Sequence, residues 1–292
     1  MTPKARLAAF AALAGAGALV AAFNVRSLGP ALLNLPTFFS RTGLVRNIAY
    51  GQEPSQRLDI YLPAGHETRN LPVIVFFYGG RWMAGQKEIY RFAGDAFAKR
   101  GFIVAIPDYA KYPAVRFPAF AQDGAKALAW VSDHVAEYGG NPARIFVAGH
   151  SAGAHIGALL AANPAYLAHE GKDRGAVIRG FAGLAGPYAF TPDEPDLIDM
   201  FGPPERYPAM QVTTFIDGTQ PPMLLLYGDA DTTVRRYNLD RLEAKIQEKG
   251  GAVKSIIYPG IDHLWIVGTL GWLNWRGPAV ACDITAFFAS AK

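Results

Sequence analysis

The chain has 292 residues, of which 51% are apolar, and its 28 basic and 24 acidic residues give a formal net charge of +4. These charges form no basic run or face, which argues against nucleic-acid binding, and the 31 glycines and 21 prolines show no repeating period. The one cysteine, Cys282, excludes an intrachain disulfide, and its apolar surroundings predict a core position.

The first 27 residues have the composition of a targeting segment. Lys4 and Arg6 precede an uncharged run from Leu7 to Phe23 that is rich in Ala, Leu and Gly. A positive start followed by an apolar run is typical of an export signal, and the run is also close to the ~17 to 25 residues of a membrane-spanning helix. We therefore expect residues 1–27 to be a signal peptide or a membrane anchor. A soluble tail is disfavoured because the run lacks a polar face.

Residues 28–43 form an apolar lead-in that Pro30 and Pro36 interrupt. This segment is either a membrane-proximal helix or a stretch packed on the domain. Two strands follow, at 44–50 and 57–62, and the turn between them predicts an antiparallel opening of a sheet.

From residue 71, continuous apolar runs alternate with segments of helical periodicity. This is the pattern of βαβ units around a parallel sheet that is covered on both faces. The predicted strands are 73–77, 102–106, 145–148, 176–184, 223–227 and 254–258. The predicted helices are 91–100, 120–138, a segment after residue 151, 238–249 and 279–291. No linker divides this core, so we expect one α/β domain over residues 44–292.

One region departs from this alternation. Residues 188–222 are rich in proline and acidic residues and poor in periodic structure, and they lie between two predicted strands of the sheet. A long excursion at such a place is usually functional, so we predict a lid or a pocket wall. A plain surface loop is the alternative.

The stretch Gly149-His150-Ser151-Ala152-Gly153 carries a specific chemical signal. It connects the apolar strand at 145–148 to a buried helix that is rich in Ala and Leu. A strand that turns sharply into a helix around a serine is the nucleophile elbow G-x-S-x-G, in which small residues flank the apex. We therefore predict that Ser151 is a nucleophile.

Two further candidates directly follow later strands. Asp231 comes after the strand at 223–227, and His263 comes after the strand at 254–258. In a parallel sheet the carboxyl ends of the strands form the ligand-binding edge, and Ser, Asp, His is the chain order of one class of hydrolase triads. We predict that His263 takes the proton of Ser151 and that Asp231 orients the imidazole. His150 and His155 are weaker candidates, because the first points away from the nucleophile and the second is expected to pack.

Such a hydrolase also needs N–H donors for the oxyanion. Ala152 directly follows the nucleophile, and Gly79 and Gly80 follow the early strand at 73–77, where they allow the backbone to approach the substrate closely. No histidine or acid pair has the spacing of metal ligands, and no glycine-rich nucleotide motif follows a strand. We therefore expect no metal and no cofactor.

These motifs resemble those of the α/β-hydrolase superfamily. Three further stretches add to the resemblance: Tyr78-Gly-Gly-Arg-Trp82, Pro107-Asp-Tyr109 and Phe117-Pro-Ala119. Over roughly residues 46–288 the chain is similar to the bacterial esterase and lipase branch with an H-G-G-x-W loop. That branch includes feruloyl-esterase-like, acetyl-esterase-like and isoprenylcysteine-methylesterase-like proteins, with kynurenine formamidase as a relative.

The resemblance implies an α/β-hydrolase fold and oxyanion donors at Gly80, Arg81 and Ala152. It also favours Asp231 over the nearby Asp229, because G-x-x-D-x-x-V is the usual setting of this acid in the family. Three residues depart from the family pattern. Tyr78 stands in place of the loop histidine, Arg81 in place of a frequent third glycine, and Ala110 in place of the arginine of D-Y-R.

These residues predict a cofactor-independent serine hydrolase that cleaves small-molecule carboxylic esters through an acyl-serine intermediate. Aromatic residues flank the predicted site and suggest that it binds an apolar acyl or aryl group; they are Trp82, Tyr109, Tyr188 and Trp265. An amidase or formamidase with the same triad is one alternative. A non-catalytic ligand-binding homologue is another, less favoured because the triad is complete. With residues 1–27, the sequence predicts export across, or anchoring in, a bacterial inner membrane rather than a cytoplasmic location.

Overall fold

A computed structural model of the chain describes residues 31–65, 70–272 and 277–291. The predicted signal or anchor segment, residues 1–27, lies outside these ranges. Among the helices in these ranges, none combines the length and the apolar character that a membrane crossing requires.

The described residues form an eight-stranded sheet in the order β1-β2-β4-β3-β5-β6-β7-β8. Strands β3 to β8 run parallel to one another, whereas β2 is antiparallel to both of its neighbours, β1 and β4. The α/β class and the antiparallel opening are therefore confirmed. The strands are β1 (Gly43–Ala49), β2 (Arg57–Leu62), β3 (Leu71–Phe77), β4 (Ile103–Pro107), β5 (Gly140–His150), β6 (Ile178–Leu184), β7 (Met223–Gly228) and β8 (Val253–Tyr258).

Strand β5 begins five residues before the predicted strand. Its first part was not predicted because the stretch 140–144 is exposed at three positions and forms no continuous apolar run. Helices connect the parallel strands. They are α1 (Arg91–Ala98), α2 (Ala119–His134), α3 (Ala152–Ala162), α4 (Pro164–His169), α5 (Arg174–Val177), α6 (Pro195–Phe201), α7 (Tyr207–Met210), α8 (Tyr237–Glu248), α9 (Trp265–Gly268) and α10 (Val280–Ser290).

The central strand β5 shows why the apolar runs are continuous. Successive side chains of a strand point to opposite faces of the sheet. Phe146 stacks on Phe288 of α10 with 4.5 Å between the ring centroids, whereas Val147 faces α3 on the other side, at Gly157. Because both faces are covered, every position from Ile145 to His150 is buried. Packing against helices on both faces fixes the strand whose end carries Ser151.

Two expectations need correction. The excursion at 188–222 is not poor in regular structure, because it contains the short helices α6 and α7, whose turns bury Leu197, Met200 and Met210.

The predicted core position of Cys282 is wrong, because this residue is exposed. Helix α10 buries its other side, through Val280, Ala281, Ile284 and Phe288.

The described part of the lead-in packs on the domain. Asn34 donates from its side-chain amide to the carbonyl oxygens of Glu88 and Ile89, at 3.0 and 3.1 Å, and its Oδ1 accepts a bond from the N–H of Phe92 at 2.8 Å. A 3₁₀ helix, Leu35–Phe39, follows directly. The start of the described chain is thus tied to the beginning of α1.

Candidate active site

Ser151 occupies the sharp turn between β5 and α3. Its backbone has φ +54° and ψ −122°, a conformation that residues with a Cβ rarely adopt. The two flanking glycines leave no room for a side chain. A Cβ at Gly149 would lie 2.5 Å from the carbonyl oxygen of Gly153, and a Cβ at Gly153 would lie 2.1 Å from that of Phe77. The turn therefore requires glycine at both positions and projects the serine from the edge of the sheet.

Three residues from different loops meet at this edge. The hydroxyl of Ser151 lies 2.9 Å from Nε2 of His263, and Nδ1 of His263 lies 2.7 Å from Oδ2 of Asp231. The carboxylate can only accept, so Nδ1 carries the proton and Nε2 presents its lone pair to the serine hydroxyl. Since Asp231 follows β7 and His263 follows β8, the parallel sheet itself brings the three side chains together.

Asp231 is held in place by its second oxygen. Oδ1 accepts hydrogen bonds from the N–H groups of Thr233 and Val234, at 2.8 and 2.9 Å. Burial alone would raise the pKa of Asp231, but the hydrogen bond from His263 and the two N–H donors outweigh it, so the pKa lies below its ordinary value. Asp229 instead accepts a hydrogen bond at 2.6 Å from the N–H of Gly260, in the loop after β8. The ionised carboxylate beside His263 is therefore that of Asp231.

The loop after β3 faces Ser151. Gly80, Arg81 and Trp82 have φ of +141°, +57° and +59°. The two non-glycine residues are held in the left-handed region, which costs about 1 kcal/mol or more each. Within the described residues, the N–H groups of Gly80, Arg81 and Ala152 donate to no protein acceptor. Unsatisfied donors in a strained loop beside a serine are the arrangement that an oxyanion hole needs.

Tyr78, at the family's histidine position, supports this loop from behind. Its hydroxyl donates to Oδ1 of Asp108 at 2.7 Å, and its ring stacks between Tyr90 and Tyr109 with centroid distances of 5.6 and 4.8 Å. Tyr109 in turn donates to the carbonyl oxygen of Tyr78 at 2.9 Å. Stacked rings and two hydrogen bonds thus anchor the loop without a histidine.

Arg81, at the frequent glycine position, joins the loop to the excursion. Its guanidinium lies 2.7 Å from a carboxylate oxygen of Glu194 and 2.9 Å from one of Asp196, at the start of α6. The side chain is 41% exposed, so each ion pair contributes little to stability by itself. The contact nevertheless places the excursion directly above the loop that faces Ser151.

A cavity of about 350 Å³ opens next to Ser151. Of the predicted substrate-binding residues, Trp82 lines it, whereas Tyr109 and Tyr188 are buried outside its wall and Trp265 lies elsewhere on the surface. The excursion supplies one wall and the loop after Asp231 supplies the other. Representative lining residues are Trp82, Pro187, Phe190, Leu197, Thr233 and Asn238.

His150 belongs to the site although its motif position gives no sign of it. Its Nε2 donates to the carbonyl oxygen of His263 at 2.8 Å, so its Nδ1 is unprotonated and faces the hydroxyl of Tyr90 at 3.3 Å. The oxygen of Tyr90 accepts from the N–H of Gly79 at 3.2 Å. One buried imidazole thus links the backbone of His263, the elbow and the loop that holds the free N–H groups. His155, as expected, is packed, and its Nε2 bonds to the carbonyl oxygen of Met210 at 2.7 Å.

Comparisons with known proteins find a matching family model and similar folds. The BD-FAE family matches residues 58–174, which include the loop after β3 and the elbow. Esterase B from Lactobacillus rhamnosis has a TM-score of 0.75 over 95% of this chain and 96% of its own, at 18% identity. The chain has the α/β-hydrolase fold.

Curated proteins similar to this chain include esterases. The probable isoprenylcysteine alpha-carbonyl methylesterase ICMEL1 of Arabidopsis thaliana is 29% identical over 75% of this chain and 50% of the relative. Esterase LipC of Mycobacterium tuberculosis is 28% identical over 75% of this chain and 59% of the relative. The chain thus spans 50% to 59% of the length of these relatives.

The buried imidazole of His150 predicts an acid-sensitive contribution to stability. Burial, with a smaller contribution from His263, lowers the pKa of His150 from 6.5 to about 3. Between these values the unfolded chain binds one proton more than the folded one, so stability falls as the pH falls. Relative to His150→Gln, which keeps an N–H donor, the wild type should lose about 1.4 kcal/mol of unfolding free energy per pH unit from pH 6 to 4.5. Denaturant unfolding across this range measures the difference, and parallel profiles would contradict the prediction.

Proposed function

We propose that this α/β-hydrolase cleaves carboxylic esters through an acyl-serine intermediate. The observation that carries the proposal is the continuous hydrogen-bonded path from Asp231 through His263 to Ser151, at 2.7 and 2.9 Å, beside three free N–H groups. A serine hydroxyl is a weak nucleophile until a base takes its proton. The path provides that base in the correct tautomer and in direct contact.

In the first half of the reaction, Ser151 Oγ attacks the ester carbonyl carbon while its proton passes to Nε2 of His263. The oxygen of the tetrahedral intermediate accepts hydrogen bonds from the N–H groups of Gly80, Arg81 and Ala152, and Asp231 stabilises the imidazolium. His263 then gives the proton to the leaving alkoxide, and the alcohol departs. In the second half, water attacks the acyl-serine by the same route and releases the acid.

The cavity indicates a small substrate. Its volume of about 350 Å³ lies near the lower end of the ~300 to 1,000 Å³ of small-molecule sites. Trp82, Phe190 and Leu197 present apolar surface there, while Thr233 and Asn238 lie on the opposite wall. We propose that the apolar side holds a short acyl or aryl group, with Trp82 as a direct contact. The role in substrate binding predicted for Tyr109, Tyr188 and Trp265 finds no support in the lining of this cavity.

An amide could enter the same route, because amidases and formamidases also form an acyl-serine. The ester is preferred since the similar curated proteins carry esterase names. A non-catalytic homologue would not need an intact triad in hydrogen-bonding geometry.

Turnover of a short ester tests the proposal. Ser151→Ala should lower kcat/KM for p-nitrophenyl acetate by at least about 10⁴-fold, because no other group replaces the nucleophile. Ser132→Ala is the matched control, since Ser132 lies in α2 and bonds only to the carbonyl oxygen of Ala129. Equal activity of the wild type and Ser151→Ala would overturn the proposal, and faster turnover of an aryl formamide than of the aryl ester would favour the amidase.

We also propose that residues 1–27 direct the protein to, or across, a bacterial inner membrane. The support is the sequence alone: Lys4 and Arg6 followed by the uncharged run from Leu7 to Phe23. Fractionation of cells that express the full chain should find it with the membrane or outside the cytosol. Full-length protein confined to the cytosol would contradict this.

A further inference from the structure

Near the start of the described chain, several large apolar side chains are exposed together. Between 48% and 85% of each of these residues is accessible to solvent, and they lie on two segments that touch; they are Leu32, Leu35, Phe38, Phe39 and Trp272, here called the apolar face. Single exposed hydrophobic residues are normal on protein surfaces. A cluster with three aromatic rings is not, and it marks an interaction surface.

The apolar face is built into the fold. Nε1 of Trp272 donates to the carbonyl oxygen of Leu32 at 2.9 Å, which fastens the two segments to each other. Between the exposed residues, Leu33 packs against Gly271 and the side chain of Asn34 makes three hydrogen bonds to the start of α1. Thr37 is buried and donates to the carbonyl oxygen of Asn34 at 2.6 Å. The inward side chains thus fix the outward ones in place.

Arginines lie next to the apolar face: Arg46 and Arg91 line a groove with Phe38, and Arg100 lines one with Trp272. Within the described residues, no carboxylate lies within 4.0 Å of Arg41, Arg46, Arg91 or Arg100. The guanidinium of Arg91 lies over the ring of Phe38, 4.6 Å from its centroid. The nearby carboxylates are already engaged, since Asp95 pairs with Lys99 at 2.7 Å and Glu88 pairs with Lys87. The surroundings of the face are therefore positively charged.

We propose that the apolar face and its arginines dock the domain on an anionic lipid bilayer. Apolar and aromatic side chains insert at the headgroup level, while basic side chains bind lipid phosphates, so one surface satisfies both parts of the interface. The occupant is a bilayer rather than a protein because of what precedes the face in the chain. Only residues 24–30 separate the described chain from the uncharged run of Leu7 to Phe23. A membrane bound by that run would lie within reach of the face.

The proposal has a consequence for the orientation of the site. Trp272 is nine residues after His263, and the intervening segment contains Leu264, which is 71% exposed. The segment that leaves the catalytic edge is therefore the one that completes the apolar face. Docking would bring this side of the active-site rim towards the lipid. The docking itself does not depend on the proposed ester hydrolysis.

An environment-sensitive label on the full chain tests the docking. In a Cys282→Ser background, Phe39→Cys carries the fluorophore NBD, and Gln247→Cys is the matched control on α8, which packs against β7 and β8 at the far edge of the sheet. With vesicles of phosphatidylcholine and about 30% phosphatidylglycerol, emission at position 39 should shift to the blue and rise at least about twofold. Emission at position 247 should stay unchanged, and pure phosphatidylcholine should give a smaller response at position 39.

Three outcomes would overturn the proposal. Vesicle binding without any response at position 39 would mean that only the N-terminal run touches the lipid. A label that iodide cannot quench before vesicles are added would mean that another part of the chain covers the face. A response that grows with protein concentration without vesicles would assign the face to a second copy. Hydrolysis of p-nitrophenyl acetate by both labelled variants monitors folding and separates failure of this proposal from failure of the proposed function.

Discussion

The strained backbone of Ser151 is the constraint on which the rest of the site depends. A left-handed conformation at a residue with a Cβ costs about 1 to 2 kcal/mol, so the surrounding structure has to enforce it. Three features do so. The N–H of Ser151 donates to the carbonyl oxygen of Leu184 at 2.9 Å, Gly149 and Gly153 allow backbone atoms to meet, and α3 packs on the sheet directly after the turn. A serine fixed in this way would need little reorganisation to act as the proposed nucleophile.

Fixing the serine is useful only if its partners are equally fixed. The ring of His263 is fixed by Asp231, and the carbonyl of His263 is fixed by His150. Because His150 is adjacent to Ser151 in the chain, His263 is tied to the same turn that holds Ser151. Through Tyr90 the same imidazole reaches Gly79, next to the proposed oxyanion donors. Buried polar networks of this kind specify one arrangement when every member is satisfied.

The sequence predicts that Ser151, Asp231 and His263 lie close together, because each follows an apolar run. In a parallel sheet the carboxyl ends of those runs lie at one edge. Ser151, Asp231 and His263 are therefore brought to the same edge by the strands that precede them. The six parallel strands are predictable from the same apolar runs, apart from the first part of β5, residues 140–144, which forms no continuous apolar run. Cys282 was misplaced because most residues of its segment are apolar, which hides the exposed side of α10.

Contacts between distant parts of the chain could not be predicted. Arg81 meets Glu194, 113 positions away, in an excursion whose short helices have too few turns to show a periodicity. The carbonyl of His263 lies equally far along the chain from His150. Neither pairing follows from propensity or spacing, since both depend on how the excursion and the loop after β8 fold over the sheet edge. The apolar face has the same origin, because residues 32 and 272 come together only in the folded chain.

The central claim is that Ser151 is the residue that becomes acylated. Treatment of the folded protein with a fluorophosphonate, followed by peptide mass spectrometry, tests this directly, because such reagents phosphonylate a serine that a base has activated. The account predicts one adduct, on Ser151, in the wild type and none in His263→Ala, in which the serine remains but its base is lost. No adduct on the folded wild-type protein, or an adduct on another serine, would contradict it.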